Sequence, residues 1–134
     1  MWLCRPDAFK NGTYTPDAIV VSPVGEVWNG QAEISAHVDK LANSVFKYFT
    51  SKYTVKDIHF LAPTVALMSM HVADVLEQEF NMPDGSKSQP KGSKSENMFL
   101  HTFVKQNGIW KISSTQVTPI MTMDAQTEVT VKGD

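Results

Sequence analysis

Imidazole is the one side chain that changes charge near neutral pH without help from its surroundings, so the four histidines, His37, His59, His71 and His101, come first for acid–base chemistry. His37 lies beside an apolar stripe at helical spacing and reads as a helix-flank residue. The other three fall in strand-like stretches. Pairing the strands on either side of a polar loop at residues 82–95 brings His71 and His101 opposite or within a few residues of each other. Alternation sets Phe99, His101 and Phe103 on one face of the later strand, and Leu67, Ser69 and His71 on one face of the earlier. If both faces line one cavity, His71 and His101 are the catalytic candidates, or they hold a polar group of a ligand. Individually hydrogen-bonded strand histidines are the commoner case.

Other groups carry weaker signals. Asp57 and His59 stand two apart on one strand face and read as a surface pair. Asp74, Glu77 and Glu79 are expected to solvate the end of a strand, facing Lys87, Lys91 and Lys94 across the hairpin. No close pair of histidines with a carboxylate offers metal ligands, so no metal or other cofactor is expected. The methionines at 68, 70, 98, 121 and 123 read as adaptable core filling, and Trp28 and Trp110 as packing residues. Cys4, the single cysteine, has no base beside it and no partner for an internal disulfide.

The elements that must position these groups follow from periodicity. Residues 16–23 (PDAIVVSP) are β-branched at their centre and end in Pro23-Val24-Gly25, a strand entering a turn. Ile34, Val38, Leu41, Val45 and Phe49 recur every three or four positions, predicting an amphipathic helix over residues 30–49 with Asn29 as its cap. Period two then predicts strands over 55–61, 65–80, 96–106 and 109–118. Asn107-Gly108 is a hairpin turn, and MPDGSKSQPKGSKS at 82–95 is a mobile hairpin loop. One helix followed by a meander of long strands predicts an α+β domain over residues 1–122, a curved antiparallel sheet wrapped on the helix, with a polar tail at 123–134.

In order and spacing, Asp7-Ala8-Phe9, YTPDAIVVSPVG at 14–25, WNGQAEI at 28–34, and NGIWKI at 107–112 with Gln116 and Thr118 resemble the SnoaL-like group of the nuclear-transport-factor-2-like superfamily, including SgcJ/EcaC-type proteins and ketosteroid isomerases. The resemblance spans about residues 7–120 and implies a half-cone with a central pocket lined by Ser22, Leu67, Ser69, His71, Phe99, His101 and Phe103. It also implies dimers formed through the outer face of the sheet. Steroid isomerases place a catalytic aspartate just before a Pro-Val-Gly like that at 23–25. Here Ser22 stands there, and a hydroxyl of high pKa is no substitute for that base. Their second acid falls near His101 or Thr102, and the tyrosine of their first helix has no counterpart. Members begin with a longer first helix than the residues before Asp7 allow, so a shortened start is expected, with Trp2 and Leu3 supplying part of the cover.

Size and charge narrow the partners. The chain has 134 residues, is 42% hydrophobic and carries a formal net charge of -2, which suits one core and shows no footprint for nucleic acid. Its apolar runs fall short of the roughly 20 residues a membrane helix needs, and Pro6 and Asp7 interrupt any signal-like core. A cytoplasmic protein that binds an apolar small molecule as a homodimer is therefore the leading expectation. An enzyme using the pocket histidines, and an association module with a vestigial pocket, stand beside it.

Overall fold

The computed structural model describes residues 13–121; Trp2, Leu3, Cys4, Asp7-Ala8-Phe9 and the tail at 123–134 lie outside the described residues. Among the described residues, six strands and one α-helix follow in chain order: β1 (Tyr14–Val21), β2 (Val27–Asn29), α1 (Gln31–Ala42), a 3-10 turn at Val45–Tyr48, β3 (Phe49–Ala62), β4 (Val65–Leu76), β5 (Lys94–Gln106) and β6 (Ile109–Pro119). They form one sheet in the order β2-β1-β6-β5-β4-β3. The architecture is the expected α+β with the helix on one face. The sheet is mixed rather than wholly antiparallel, because β1 runs parallel to β6, with Val20 beside Thr115. Parallel neighbours need a long crossover, and here everything from β2 to β5 intervenes.

The helix is shorter than its apolar period. Asn43 Nδ2 donates to the Asp39 carbonyl and Ser44 Oγ to the Leu41 carbonyl, so polar side chains take over the last turn and α1 stops at Ala42. Val45 continues into the 3-10 turn and Phe49 opens β3. At the other end Gly30, not Asn29, is the cap residue, with φ 86 and no side-chain cap bond. Asn29 instead donates its backbone N–H to the Glu33 carboxylate at 3.2 Å. Ile34 and Val38 are the buried helical residues and pack against Tyr14, Ala18, Val20, Met70, Val72 and Phe99 on the concave face.

The loop between β4 and β5 carries its own hydrogen bonds: Met82 N–H to the Ser86 carbonyl at 2.7 Å, Ser88 N–H to the Phe80 carbonyl at 2.8 Å, and Ser86 Oγ to Asp84 at 2.6 Å. Leu76 N–H donates to the Ser93 carbonyl, closing β4 against the start of β5. β4 therefore ends at Leu76, short of the expected residue 80. Among the described residues no helix is long and apolar enough to cross a membrane.

Candidate functional site

The β4–β5 register decides what faces the helix. Met68 pairs with His101, Met70 with Phe99 and Val72 with Asn97. Phe99, His101 and Phe103 therefore share the concave face with the even-numbered residues of β4. Leu67, Ser69 and His71 stand on the convex face, where His71 pairs with Met98. The two imidazoles do not share a wall. The reason is parity: a pairing shifted by one residue sends a whole side-chain set to the other face, and the asymmetric loop at 77–93 sets this pairing. On the convex side His71 Nε2 lies 3.0 Å from Glu96 Oε1. Asp57 and His59, exposed, share that side with Ser69 and Leu67, their register partners.

His101 is fully buried. Its Nδ1 lies 2.8 Å from Thr115 Oγ1, and the same hydroxyl lies 3.3 Å from the Tyr14 phenol. Three polar side chains from β5, β6 and β1 thus form a buried chain inside an apolar core. Burial disfavours the imidazolium and pushes His101 down to about 4, so the ring is neutral at physiological pH. Burial likewise raises the Tyr14 phenol, against a smaller opposing effect of its bond to Thr115. Phe99 and Phe103 flank the imidazole, with ring centroids 5.8 and 5.9 Å away.

Beyond Phe103 the concave face opens into an apolar cleft of about 230 Å³ lined by Ile58, Phe60, Ala66, Met68, Phe103 and Trp110. A bulge between Val55 and Asp57 turns Ile58 and Phe60 to this side. Phe60 meets the Trp110 ring edge-on at 5.9 Å and remains 61% exposed, so the cleft is open at its rim. Met68 and Phe103 belong both to the cleft and to the shell around His101.

Ser22, expected from the resemblance to stand where steroid isomerases have an aspartate, is buried, and its hydroxyl serves the turn after β1, accepting from the backbone N–H of Glu26 at 3.1 Å and of Val24 at 3.4 Å. His37 stacks on Trp28, centroids 4.6 Å apart and rings nearly parallel. Sequence reasoning missed Tyr14, Thr115, Asp74 and the cleft role of Trp110. Asp74, expected to be solvated, is 3% exposed and accepts a hydrogen bond from Ser51 Oγ. Its even position in β4, in phase with Met70 and Val72, was the available signal.

No family model matches the chain, and no curated protein is detectably similar to it. Solved structures are. An uncharacterised protein with a cystatin-like fold from Caulobacter vibrioides superposes with a TM-score of 0.73 at 19% identity, over 96% of this chain and 85% of that one. A ketosteroid isomerase-like protein from Erwinia carotovora gives 0.63 at 16% identity, covering 89% and 84%. A Xanthomonas campestris protein named after the calcium/calmodulin-dependent protein kinase II association domain gives 0.63 at 16%, covering 90% and 79%. At such identities the likeness carries the fold alone: a cystatin-like α+β cone.

Proposed function

We propose that this cone of the nuclear-transport-factor-2-like, SnoaL-like architecture is a binding protein for a small apolar molecule bearing one hydrogen-bond acceptor, held in the cleft between Phe60 and Phe103. The observation that carries the reading is the placement of a buried, neutral imidazole behind the cleft's own lining residues, Met68 and Phe103. Apolar walls with few convergent polar groups are the usual composition of a ligand site. If Tyr14 donates to Thr115 and Thr115 to Nδ1, the ring proton lies on Nε2 and the imidazole is a donor for a ligand carbonyl. Met68, an unbranched thioether, is the side chain able to yield between them. Acid–base catalysis is the weaker reading, because a general base works best near the operating pH and His101 lies well below it.

Two copies are proposed to associate through the convex face, where Leu100 is 45% exposed at mid-strand. The likeness to a protein named after an association domain is in keeping with this.

A naphthyl ketone dye whose emission moves to the blue in apolar surroundings tests the site. We expect saturable binding, weakened about fivefold or more by Phe103→Ala and by Trp110→Ala. Saturable binding that neither variant affects, or none at all, sinks the reading.

A further inference from the structure

The concave face also opens toward the end where β1 and β6 stop. Pro23 from the turn after β1, Phe46 from the 3-10 turn, Phe49 from the start of β3 and Pro119 from the end of β6 surround a cleft of about 240 Å³. The Phe46 and Phe49 rings, centroids 6.1 Å apart and tilted by 43°, wall it with aromatic surface. Asn97 reaches it from β5, where it stands between its register partners Val72 and Pro119 and keeps the concave phase of Phe99 and His101. Its side chain is 7% exposed and lines the cleft, so the little surface it keeps opens there. No hydrogen bond to a described residue engages that side chain, in contrast to Asp74 beside it, whose carboxylate is already engaged by Ser51 Oγ. An amide carries two N–H donors and an acceptor oxygen. Withdrawing them from water unmade is unfavourable, and buried polar groups of native proteins nearly always have a partner. For Asn97 the cleft is where that partner has to sit.

We propose that this cleft binds a small neutral cyclic amide, a ring that presents an N–H and a C=O side by side, with Asn97 as the group that reads it. The ligand N–H donates to the Asn97 side-chain oxygen while the Asn97 NH₂ donates to the ligand carbonyl, two parallel bonds that satisfy both halves of the amide. Turning the ring over matches the opposite orientation of the Asn97 amide, so the pairing needs no particular rotamer. Phe46, Phe49 and the two prolines cover the ring's methylene groups, the apolar walls around few polar groups that a ligand site uses. At about 30 Å³ for each water-sized group, the volume admits roughly eight such groups, the size of a seven-membered lactam with its oxygen. A cyclic ester or ketone fills only half of the pairing. A carboxylate, having acceptors alone, likewise leaves the Asn97 oxygen unmatched. The site is separate from the Phe60–Phe103 cleft, and neither proposal requires the other.

NMR titration of the isotope-labelled full chain with ε-caprolactam, and with ε-caprolactone as the ring in which oxygen replaces the N–H, tests the assignment. The lactam is expected to bind about fivefold tighter or more, and to shift the Asn97 side-chain amide resonances at saturation. Asn97→Leu, similar in volume, should abolish that preference, and it should fold, since the amide has no hydrogen bond to a described residue to lose. Phe103→Ala should leave lactam binding unchanged. Equal affinities for the two rings, a preference that survives Asn97→Leu, lactam binding lost with Phe103, or no saturable lactam binding overturns the proposal. Should Asn97→Leu fail to fold, Phe49→Ala decides: lactam binding weakened about fivefold supports the site, and unchanged binding refutes it.

Discussion

Burying an imidazole in an apolar core makes its protonation costly, and His101 turns that cost into a pH dependence of stability. The unfolded chain takes up the proton near 6.5, whereas the folded protein holds the ring neutral until about 4. Between those values unfolding gains a proton, so stability falls as pH drops through the window, by up to about 3 kcal/mol in total from this group, and is unaffected by it above 6.5. Urea denaturation at several pH values should show a slope that is shallower in His101→Gln than in the wild type over that range. An identical slope in the two proteins would mean that the ring protonates in place. Thr115 joins His101 to Tyr14 through one hydroxyl, so Thr115→Val is expected to cost about 1–3 kcal/mol and Thr115→Ser to recover most of it. Denaturant midpoints measure both. His101 was legible from residue type and alternation alone. Tyr14 and Thr115 were not, because a phenol and a hydroxyl on separate strands share no spacing that marks them as a pair. Asp74 was misread for a related reason: a carboxylate near a polar loop is usually solvated, and only the strand's phase argued for burial.

At the scale of elements, periodicity located the helix and every strand but the short β2, and turn chemistry located their junctions only in part. Ile34, Val38 and Leu41 keep one apolar phase along α1 and join the core, whereas Val45 falls in the 3-10 turn and Phe49 opens β3 outside that cluster. The stop lies in Asn43 and Ser44, whose side chains bond backward to carbonyls. The β4–β5 register was beyond sequence because the intervening loop contains its own turns, and an odd or even count of looped residues decides which histidine is buried. The start of α1 is a place where backbone conformation dominates. Gly30 holds φ at 86, and a Cβ there would lie 3.5 Å from the Pro16 carbonyl oxygen. That positive φ with extended ψ, a region open almost only to glycine, is the main penalty for any other residue. Gly30→Ala is therefore expected to lower stability by about 1–2 kcal/mol while leaving the fold intact. An unchanged urea midpoint would show that the strand-to-helix junction relaxes instead.

For the whole molecule, the two faces of the sheet have different tasks. Among the described residues, α1 covers the centre of the concave face, with an apolar cleft beside Phe60 and Trp110 toward one end and a mixed polar and aromatic one beside Asp74 toward the other. Among the described residues, no helix packs on the convex face of β4 and β5. It presents Leu67, Leu100 and Met98 among Ser69, His71 and Thr102. A broad surface of interspersed apolar and polar groups suits a contact between copies that excludes water at its centre and stays soluble at its rim. A pair of copies related by a two-fold axis would place Leu100 of each near the centre of a self-complementary patch, with all four clefts facing outward. Sedimentation velocity should accordingly find the wild type at twice the chain mass. Leu100→Arg, which sets like charges against each other across the axis, should sediment as a monomer. Because the Phe60–Phe103 cleft lies on the concave side, that monomer should bind the ketone dye as the wild type does. A wild type that stays monomeric at its highest soluble concentration would rule out the convex face as an interface between copies without touching either cleft. A Leu100→Arg monomer that loses ligand would instead show that association shapes the concave face through the sheet they share.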